Sequence, residues 1–546
     1  MNRITILSGL LFVVIFCLIA SATIINIPAD YATIQAGIDA STDGDTVLVA
    51  DGVYSGTGNY NIAIGGHALI LMSENGAAAC TISPGGPENR CFVFLADVDH
   101  SIVVDGFTVL NGTSQTPGAG VYCYHNSSPI IRNCSFNYMV SYSHGGAVYL
   151  SANSNATIEN CIFENNTSFE TGGAILCDAN SAIIKDCHFI WNSATRGGAI
   201  VCQAGGSPFI YNCEFRENNS LEEGGAIYLK RCSPEISNNT ITNSWMATSG
   251  AGIFCDSSGN AYIHNCTISY NSCMEYGNGI CCRNSSPNIV YCLFTENRES
   301  NPGGGGIACI QNSHLLISNC TFYRNMAGQG GGIFSSNSVC SITNSILWYD
   351  ESGGGYSELN FTGSEPIVSY CDVMGEWPGE GNINCDPFFR NPDNEDFHLM
   401  AIDCGDPYDS PCIDMGHPDS LDSFLNCQWG LGEERADIGT YGGNSGTQTS
   451  ISERNKIIPE IIFLFQNYPN PFNASTVIKY ELPQQSQVII EIYDILGRQV
   501  STLIDKQQLA GYHQAIWRAD EFSSGMYFYK LQAGNHVETK KMLLLK

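Results

Sequence analysis

Asn160-Cys161-Ile162-Phe163, Asp186-Cys187-His188-Phe189 and Asn212-Cys213-Glu214-Phe215 are one phrase written three times. It returns at Asn265-Cys266, Tyr291-Cys292 and Asn319-Cys320. The Cys position falls at 134, 161, 187, 213, 239 (an Asn), 266, 292, 320, 345 (a Ser) and 371, in steps of 25 to 28 residues. A second phrase keeps the same period: Gly145-Gly146-Ala147-Val148, Gly172-Gly173-Ala174-Ile175, Gly197-Gly198-Ala199-Ile200 and Gly224-Gly225-Ala226-Ile227. It shortens to Gly252-Ile253, Gly279-Ile280, Gly306-Ile307 and Gly332-Ile333. A fixed period in the twenties marks a solenoid.

Within each lap the apolar residues alternate in steps of two, as in Ile175 and Cys177 or Cys161 and Phe163, which is strand periodicity. Three residues before each Cys stands Ile or Val: 131, 158, 184, 210, 236, 263, 289, 317, 342 and 368. Positions three apart on a straight strand face opposite ways, so for both to point inward the chain must bend between them. The Asn or Asp usually found before the Cys tolerates the left-handed conformation of such a corner. A further Asn file lies five after the Cys: Asn166, Asn192, Asn218, Asn271, Asn297 and Asn325, broken at Met139 and Ser244. The expectation is an all-β chain whose body is a right-handed parallel β-helix. Its laps stack at about 4.8 Å, with like residues over like. The Cys file (Cys134, Cys161, Cys187, Cys213, Cys266, Cys292, Cys320) and the Asn file are read as structural ladders.

Composition agrees with turn-rich β architecture: 57 Gly in 546 residues and 14% charged side chains. The net charge is −30, and it sits in the solenoid: residues 23–450 hold 44 acids against 12 Lys and Arg, residues 451–546 only 9 against 10. Such a body repels nucleic acid and polyanionic glycans.

Residues 1–22 read as a secretory signal, with Arg3, an apolar run from Ile4 to Ile19, and cleavage after Ala22. No later stretch is long and apolar enough to span a bilayer. From Ile27 to Tyr54, Ile34 and Ile38 fit one face of a short helix and 46–50 a strand. This opening resembles secreted β-helix proteins of the pectin-lyase-like superfamily, where a helix plugs the first rung. Less regular rungs follow over 60–117. The Gly-Gly-Ala-Ile phrase, with Phe-x-x-Asn at Phe163–Asn166, Phe189–Asn192, Phe215–Asn218, Phe294–Asn297 and Phe322–Asn325, resembles the repeats of chlamydial polymorphic outer-membrane proteins, surface β-helices linked to adhesion. Those proteins end in a membrane barrel, for which the 96 residues after 450 are too few.

The period stops at 371, and 372–443 read as last irregular rungs and a C-terminal cap. The phrases Asp386-Pro387-Phe388-Phe389 and Ala436-Asp437-Ile438-Gly439 resemble the closing segment of bacterial surface β-helix proteins. Carboxylates here, with Asp386, Asp396 and Asp414 foremost, are candidate Ca²⁺ ligands, although no EF-hand or nonapeptide spacing is present. The alternative is a solvated acidic cap with no cofactor. Residues 444–460 form a polar linker. The last segment, 461–546, opens with Asn467-Tyr468-Pro469-Asn470-Pro471-Phe472-Asn473 and continues through Tyr493-Asp494-Ile495-Leu496-Gly497-Arg498 and Ser523-Ser524-Gly525-Met526-Tyr527. Strands are expected at 476–482, 487–494, 511–517, 525–531 and 537–545, with a hairpin at Gly497-Arg498. This segment resembles the type A C-terminal sorting domain of the type IX secretion system. The resemblance implies a small β-sandwich read by that machinery in Bacteroidota, and a passenger released or fixed at the outer surface.

Of 25 Cys, Cys17 leaves with the signal. The repeat Cys are expected as buried thiols, with disulfides confined to irregular segments: Cys404–Cys412, Cys385–Cys427 or Cys80–Cys91. No zinc spacing occurs. No catalytic residue is assigned. The paired-Asp and Gly-His-Gly phrases of polygalacturonases and the Gly-x-x-Asp-Phe phrase of pectin methylesterases are absent, and Asp99-His100 reads as a loop. Basic residues (Arg132, Lys185, Arg216, Arg283, Arg298, Arg324) form no vertical file. No long corner insertion walls a cleft between 120 and 345. The function expected is a secreted, surface-displayed binding or adhesion protein for a carbohydrate or cell-surface ligand. The alternative is a lyase or hydrolase acting on uronate polysaccharide.

Overall fold

The computed structural model describes residues 22–442 and 462–545, apart from scattered single positions and pairs. It separates into two compact units, 1–446 and 447–546. The signal segment upstream of Ala22 and the whole 444–460 linker lie outside the described residues.

The first unit is a parallel β-solenoid with three long sheets of 14, 13 and 12 strands. One lap shows the order. Thr157–Glu159 belongs to the first sheet, Ile162–Glu164 to the second, Thr167–Ser168 to a short ladder, and Ile175–Asp178 to the third. Register is in phase from lap to lap: Ile158 pairs with Ile184, Phe163 with Phe189, Cys177 with Cys202. The Phe rings stack along the interior 4.7–5.2 Å apart.

The bend between the Ile and Cys files is where the sequence places it. Asn133, Asn160, Asp186, Asn212, Asn238 and Asn265 all have φ of 53–54°. The Cys beyond each bend does more than fill space. The thiols of Cys134, Cys161, Cys187 and Cys213 each donate to the carbonyl two residues back, at 3.1–3.3 Å. Ser345, in the same file, does likewise at 2.9 Å. The corner carbonyl points inward and needs a donor, which an alanine would not supply.

The Asn file satisfies the next turn. Asn166 Nδ2 donates to Phe136 O and to Asn192 Oδ1, and Asn192 repeats this with Phe163 O and Asn218 Oδ1. A second run, Asn271 to Asn297 to Asn325, ends on the carboxylate of Asp350. In the Gly-Gly phrase the first glycine has φ of 60–70° at 145, 172, 197 and 224. A Cβ on the second would lie about 2 Å from the next lap's glycine carbonyl (1.9 Å for Gly146, 2.0 Å for Gly173).

The helix Ile34–Ala40 closes the first rung. Thr33 caps it, Ile34 and Ile38 are buried, and Gly37 lets it settle against Ile27. At the other end Trp377 packs against the core with Phe361. The rest of 385–442 is not an end cap. It folds back as a strap over the outer face of the second sheet. There Leu293, Tyr323, Ile346 and Trp348 are buried against Phe389, Phe397, Leu399 and Ile438. Thr440 Oγ1 donates to Cys292 O at 2.8 Å, and Asn319 Nδ2 to Gly442 O at 2.8 Å.

The second unit is a β-sandwich. Phe463–Leu464, Ser475–Leu482 and Gly511–Arg518 form one sheet; Gln499–Gln508, Ser486–Asp494, Gly525–Ala533 and His536–Leu544 form the other. Tyr480, Ile490, Trp517, Tyr529 and Leu544 share its core. Strand 499–508 is absent from the sequence expectation. It is an edge strand with no fully buried position, so its alternation is faint.

An aromatic wall on the solenoid

The short ladder makes a narrow wall between the second and third sheets. Its strands are Thr113–Ser114, Val140–Ser141, Thr167–Ser168, Ser193–Ala194 and Asn219–Ser220. The residue four after each Cys-file position, at this corner and in the two laps beyond the ladder, is left-handed: Tyr138 (φ 56°), Asn165 (55°), Trp191 (54°), Glu217 (57°), Asn243 (54°) and Tyr270 (56°). Asn suits that conformation, whereas a Tyr or Trp holds it at a cost of about 1 kcal/mol or more. Yet Tyr138, Trp191 and Tyr270 occupy it with their rings in solvent. Tyr142 and Phe169, stacked 4.9 Å apart, and Trp245 add three more rings. These six are 47–57% exposed, and Leu221, Met246 and Met274 lie among them. Six of the ten exposed aromatic residues in the described chain therefore stand on one wall, where solvated apolar surface is costly unless it meets a partner.

Beside the wall, the open part of the second sheet's outer face is mostly polar. It carries Ser135, Asn137, Glu164, His188, Glu214, Arg216, Thr240 and Thr242, with Ile162 and Ile190 set among them. His188 Nδ1 lies 2.9 Å from Glu214 Oε2, and both side chains are roughly half exposed. The Arg216 guanidinium sits over the Trp191 ring at 6.0 Å. The strap ends this face: Arg324 Nη1 meets strap residue Asp393 at 2.7 Å. Burial, then the charges of strap residue Glu395 and of Glu296, push the Tyr270 phenol above its usual range, against the opposing charge of Arg324.

The sequence-derived candidates fall elsewhere. The Cys and Asn ladders lie in the closed interior. Asp386, Asp396 and Asp414 are not brought together. Asp386 accepts from the Phe388 amide, Asp396 pairs with His398 at 2.6 Å, and Asp414 accepts from the Glu433 amide. Among the described residues no group of three or more His, Cys, Asp or Glu is disposed to hold a metal ion. An open cleft of about 450 Å³ in the strap is lined by Arg390, Glu395, Asp396, His398 and Cys427, but Arg390 is already committed to Asp406 at 2.9 Å. Asp99 accepts from Ser101 in an exposed turn.

The basic residues of the rungs are neutralised in place. Arg132 reaches Asp105 at 2.9 Å and Lys185 reaches Glu159 at 2.7 Å, all nearly buried on the first sheet. Arg283 holds Glu223 and Asp256.

The disulfide expectations are corrected. Cys404 pairs with Cys427, Cα to Cα 5.7 Å. Cys412 is buried with its thiol on Asp372 at 3.2 Å, and Cys385 is exposed. Cys80 begins a second-sheet strand, whereas Cys91 precedes one in the third sheet; both are buried free thiols. Two further features escaped the sequence reading. One is the aromatic wall, whose trace is the aromatic residue four after the Cys at 138, 191 and 270. The other is a buried acid pair, Asp350 with Glu358, which has no local signature.

Comparison with known proteins accords with this architecture. The right handed beta helix region matches over 23–215, 119–243 and 198–367, and a secretion system C-terminal sorting domain matches over 466–545. A metabotropic glutamate receptor-like protein R of Dictyostelium discoideum is 33% identical over 95 residues, 16% of this chain and 6% of that protein's length. Among solved structures, an alginate lyase bound to G6 aligns with a TM-score of 0.40 at 14% identity, covering 67% of this chain and 88% of its own. A PL6 alginate lyase with a trisaccharide aligns at 0.32 and 13%, covering 66% and 84%. At these scores neither structure carries an argument about activity. Among the described residues no helix is long and apolar enough to cross a membrane. The chain belongs to the right-handed β-helix family and ends in a sorting domain that directs export by the type IX secretion system, to the surface or medium of a Bacteroidota cell.

Proposed function

We propose that the exported solenoid is a non-catalytic binding protein whose ligand is a carbohydrate chain laid along the aromatic wall. The observation that carries this reading is the set of six solvent-facing rings on one wall, three of them at left-handed positions that Asn fills elsewhere in the same file. A sugar ring presents an apolar C–H face and a polar rim. Flat aromatic faces match the first, and the Ser, Thr, Asn and Glu of the adjoining sheet match the second. Stacked rungs fix the repeat. Tyr138 and Trp191 are two laps apart, about 10 Å, and Trp191 and Tyr270 three laps, about 14 Å, at the spacing of neighbouring strands.

The second reading is turnover of a uronate glycan, favoured by the His188–Glu214 pair. A base tuned for catalysis is normally held away from water, and this pair is roughly half exposed. One experiment tests both. The purified protein is incubated with a glycan panel, following binding, unsaturated products and reducing ends. Trp191→Ala and Tyr270→Ala are each expected to weaken binding about tenfold, roughly 1.4 kcal/mol, with the fold intact because both rings are exposed. Undiminished binding by both variants refutes the wall as the site. New product ends refute the non-catalytic reading.

A further inference from the structure

Cations on this side of the molecule are already spoken for. Arg216 lies 3.4 Å from Glu217 and 3.9 Å from Glu214, and Arg298 lies 3.2 Å from Glu296 and 3.1 Å from Glu351. Arg324 lies 2.7 Å from Asp393 and 3.9 Å from Glu296. His144 pairs with Glu170 at 2.9 Å and His188 with Glu214 at 2.9 Å. On the wall from Tyr138 to Tyr270 and on the open face no cation is left over, among the described residues, to receive a sugar carboxylate or sulfate; Arg90, at the ladder's first strand, bonds the hydroxyls of Ser114 and Thr116 rather than a carboxylate. Carboxylates are in surplus: Glu164 and Glu395 have no cationic partner among the described residues, and the solenoid segment carries 44 acids against 12 Lys and Arg. The Trp191 face already accepts one cation, Arg216. The Tyr270 phenol feels the charges of Glu395 and Glu296 and, against them, that of Arg324, which is itself paired with Asp393. An aromatic face flanked by carboxylates suits an ammonium group, which gains from the ring quadrupole and from the charge together.

We propose that the wall takes an amino-sugar polymer with free amines, its chain running along the solenoid axis across the Tyr138, Trp191 and Tyr270 rings and its ammonium groups facing Glu164 and Glu395. This rests on the carbohydrate reading above and fixes the charge class within it. The lattice of rungs sets the axis, because the rings repeat only in that direction. A uronate chain would bring its own negative charges into an acidic strip with no free counter-charge.

The test uses the full protein and β-1,4-linked oligomers of equal length that differ only in charge: glucosamine, N-acetylglucosamine, glucose, and an anionic uronate oligomer. Titration calorimetry is run at low and at physiological salt. The glucosamine oligomer is expected to bind about tenfold or more tighter than the two neutral ones, with the advantage shrinking as salt screens it. Glu395→Gln and Glu164→Gln, both on the surface and outside any ion pair, should each reduce severalfold the ratio of glucosamine-oligomer to neutral-oligomer affinity. Equal binding of the three non-acidic oligomers overturns the charge assignment and leaves the carbohydrate reading standing. Tightest binding of the uronate oligomer overturns the charge assignment outright. Binding of none of the four overturns the carbohydrate reading, and this proposal with it.

Discussion

Replacing Asn218 with alanine tests whether the interior Asn ladder, rather than apolar packing alone, holds the laps together. Asn218 Oδ1 accepts from the Asn192 backbone amide at 3.0 Å and from Asn192 Nδ2 at 3.0 Å, and its own Nδ2 donates to Phe189 O at 2.8 Å. Alanine removes all three bonds in a closed interior. It strands a backbone N–H, a side-chain N–H and a carbonyl. Each stranded buried group costs about 1–3 kcal/mol. Asn192 Nδ2 keeps its second bond, to Phe163 O, so the sum belongs near the lower end, about 3–6 kcal/mol. That is a large share of the roughly 5–15 kcal/mol by which domains are stable. Because a solenoid's laps are coupled to their neighbours, the damage should concentrate over residues 187–220.

Urea unfolding gives the total, and amide hydrogen exchange gives its location. Asn165→Ala is the control, since Asn165 occupies a left-handed corner outside the ladder, and only the conformational cost of about 1 kcal/mol is expected there. The double variant Asn192→Ala/Asn218→Ala should be less than additive, because the two residues share two of the bonds. A loss below about 1 kcal/mol at Asn218, or exchange raised uniformly along the chain, would refute the ladder argument.

Three further outcomes follow from buried groups. Asp350 ends the ladder with Oδ1 on Asn325, its Oδ2 has no partner, and the Glu358 carboxylate stands at its amide; burial raises both acids, and the Asp350 charge raises Glu358 further. The native state therefore keeps a proton that the unfolded chain gives up above about pH 4, and stability falls as pH rises. Asp350→Asn should raise the melting temperature, more at about pH 8 than at about pH 4; a lower value at the higher pH would contradict this. In the strap, burial and the neighbouring Asp437 push Asp422 up to about 8, and burial pushes Asp437 up to about 7. The same sign makes the protection of the 410–440 amides, exchange corrected for its intrinsic pH dependence, fall between about pH 4 and pH 8, with Asp422→Asn flattening the profile; a flat wild-type protection profile would sink the idea. Of the 22 free cysteines described, Cys385 alone is exposed, and burial pushes the Cys80 and Cys371 thiols up to about 12. A thiol reagent should label one site rapidly in the native protein and the rest only on unfolding. Fast labelling of several sites would mean the files are open to solvent.

The solenoid was legible in the sequence because its determinants are local and repeat. An Ile, an Asn and a Cys in successive near positions fix an inward residue, a left-handed corner and a donor for the corner carbonyl, and in-phase stacking multiplies one lap's answer. The terminal sandwich was legible for a similar reason, through strand alternation and the turn at Gly497, although the edge strand 499–508 was not.

What the tertiary structure alone decided depends on residues far apart in the chain. The 385–442 strap has no period, so nothing in it announces that Phe389 and Phe397 rest on Tyr323, or that Thr440 bonds a carbonyl 148 positions away. The partner of Cys404 came from the same fold-back, which brings it to Cys427 rather than to nearby Cys412. The aromatic wall belongs to this class too. Tyr138, Trp191 and Tyr270 are isolated corner residues in the sequence, and they become one surface because stacking removes the 26 or so residues between laps and leaves a strand spacing in their place.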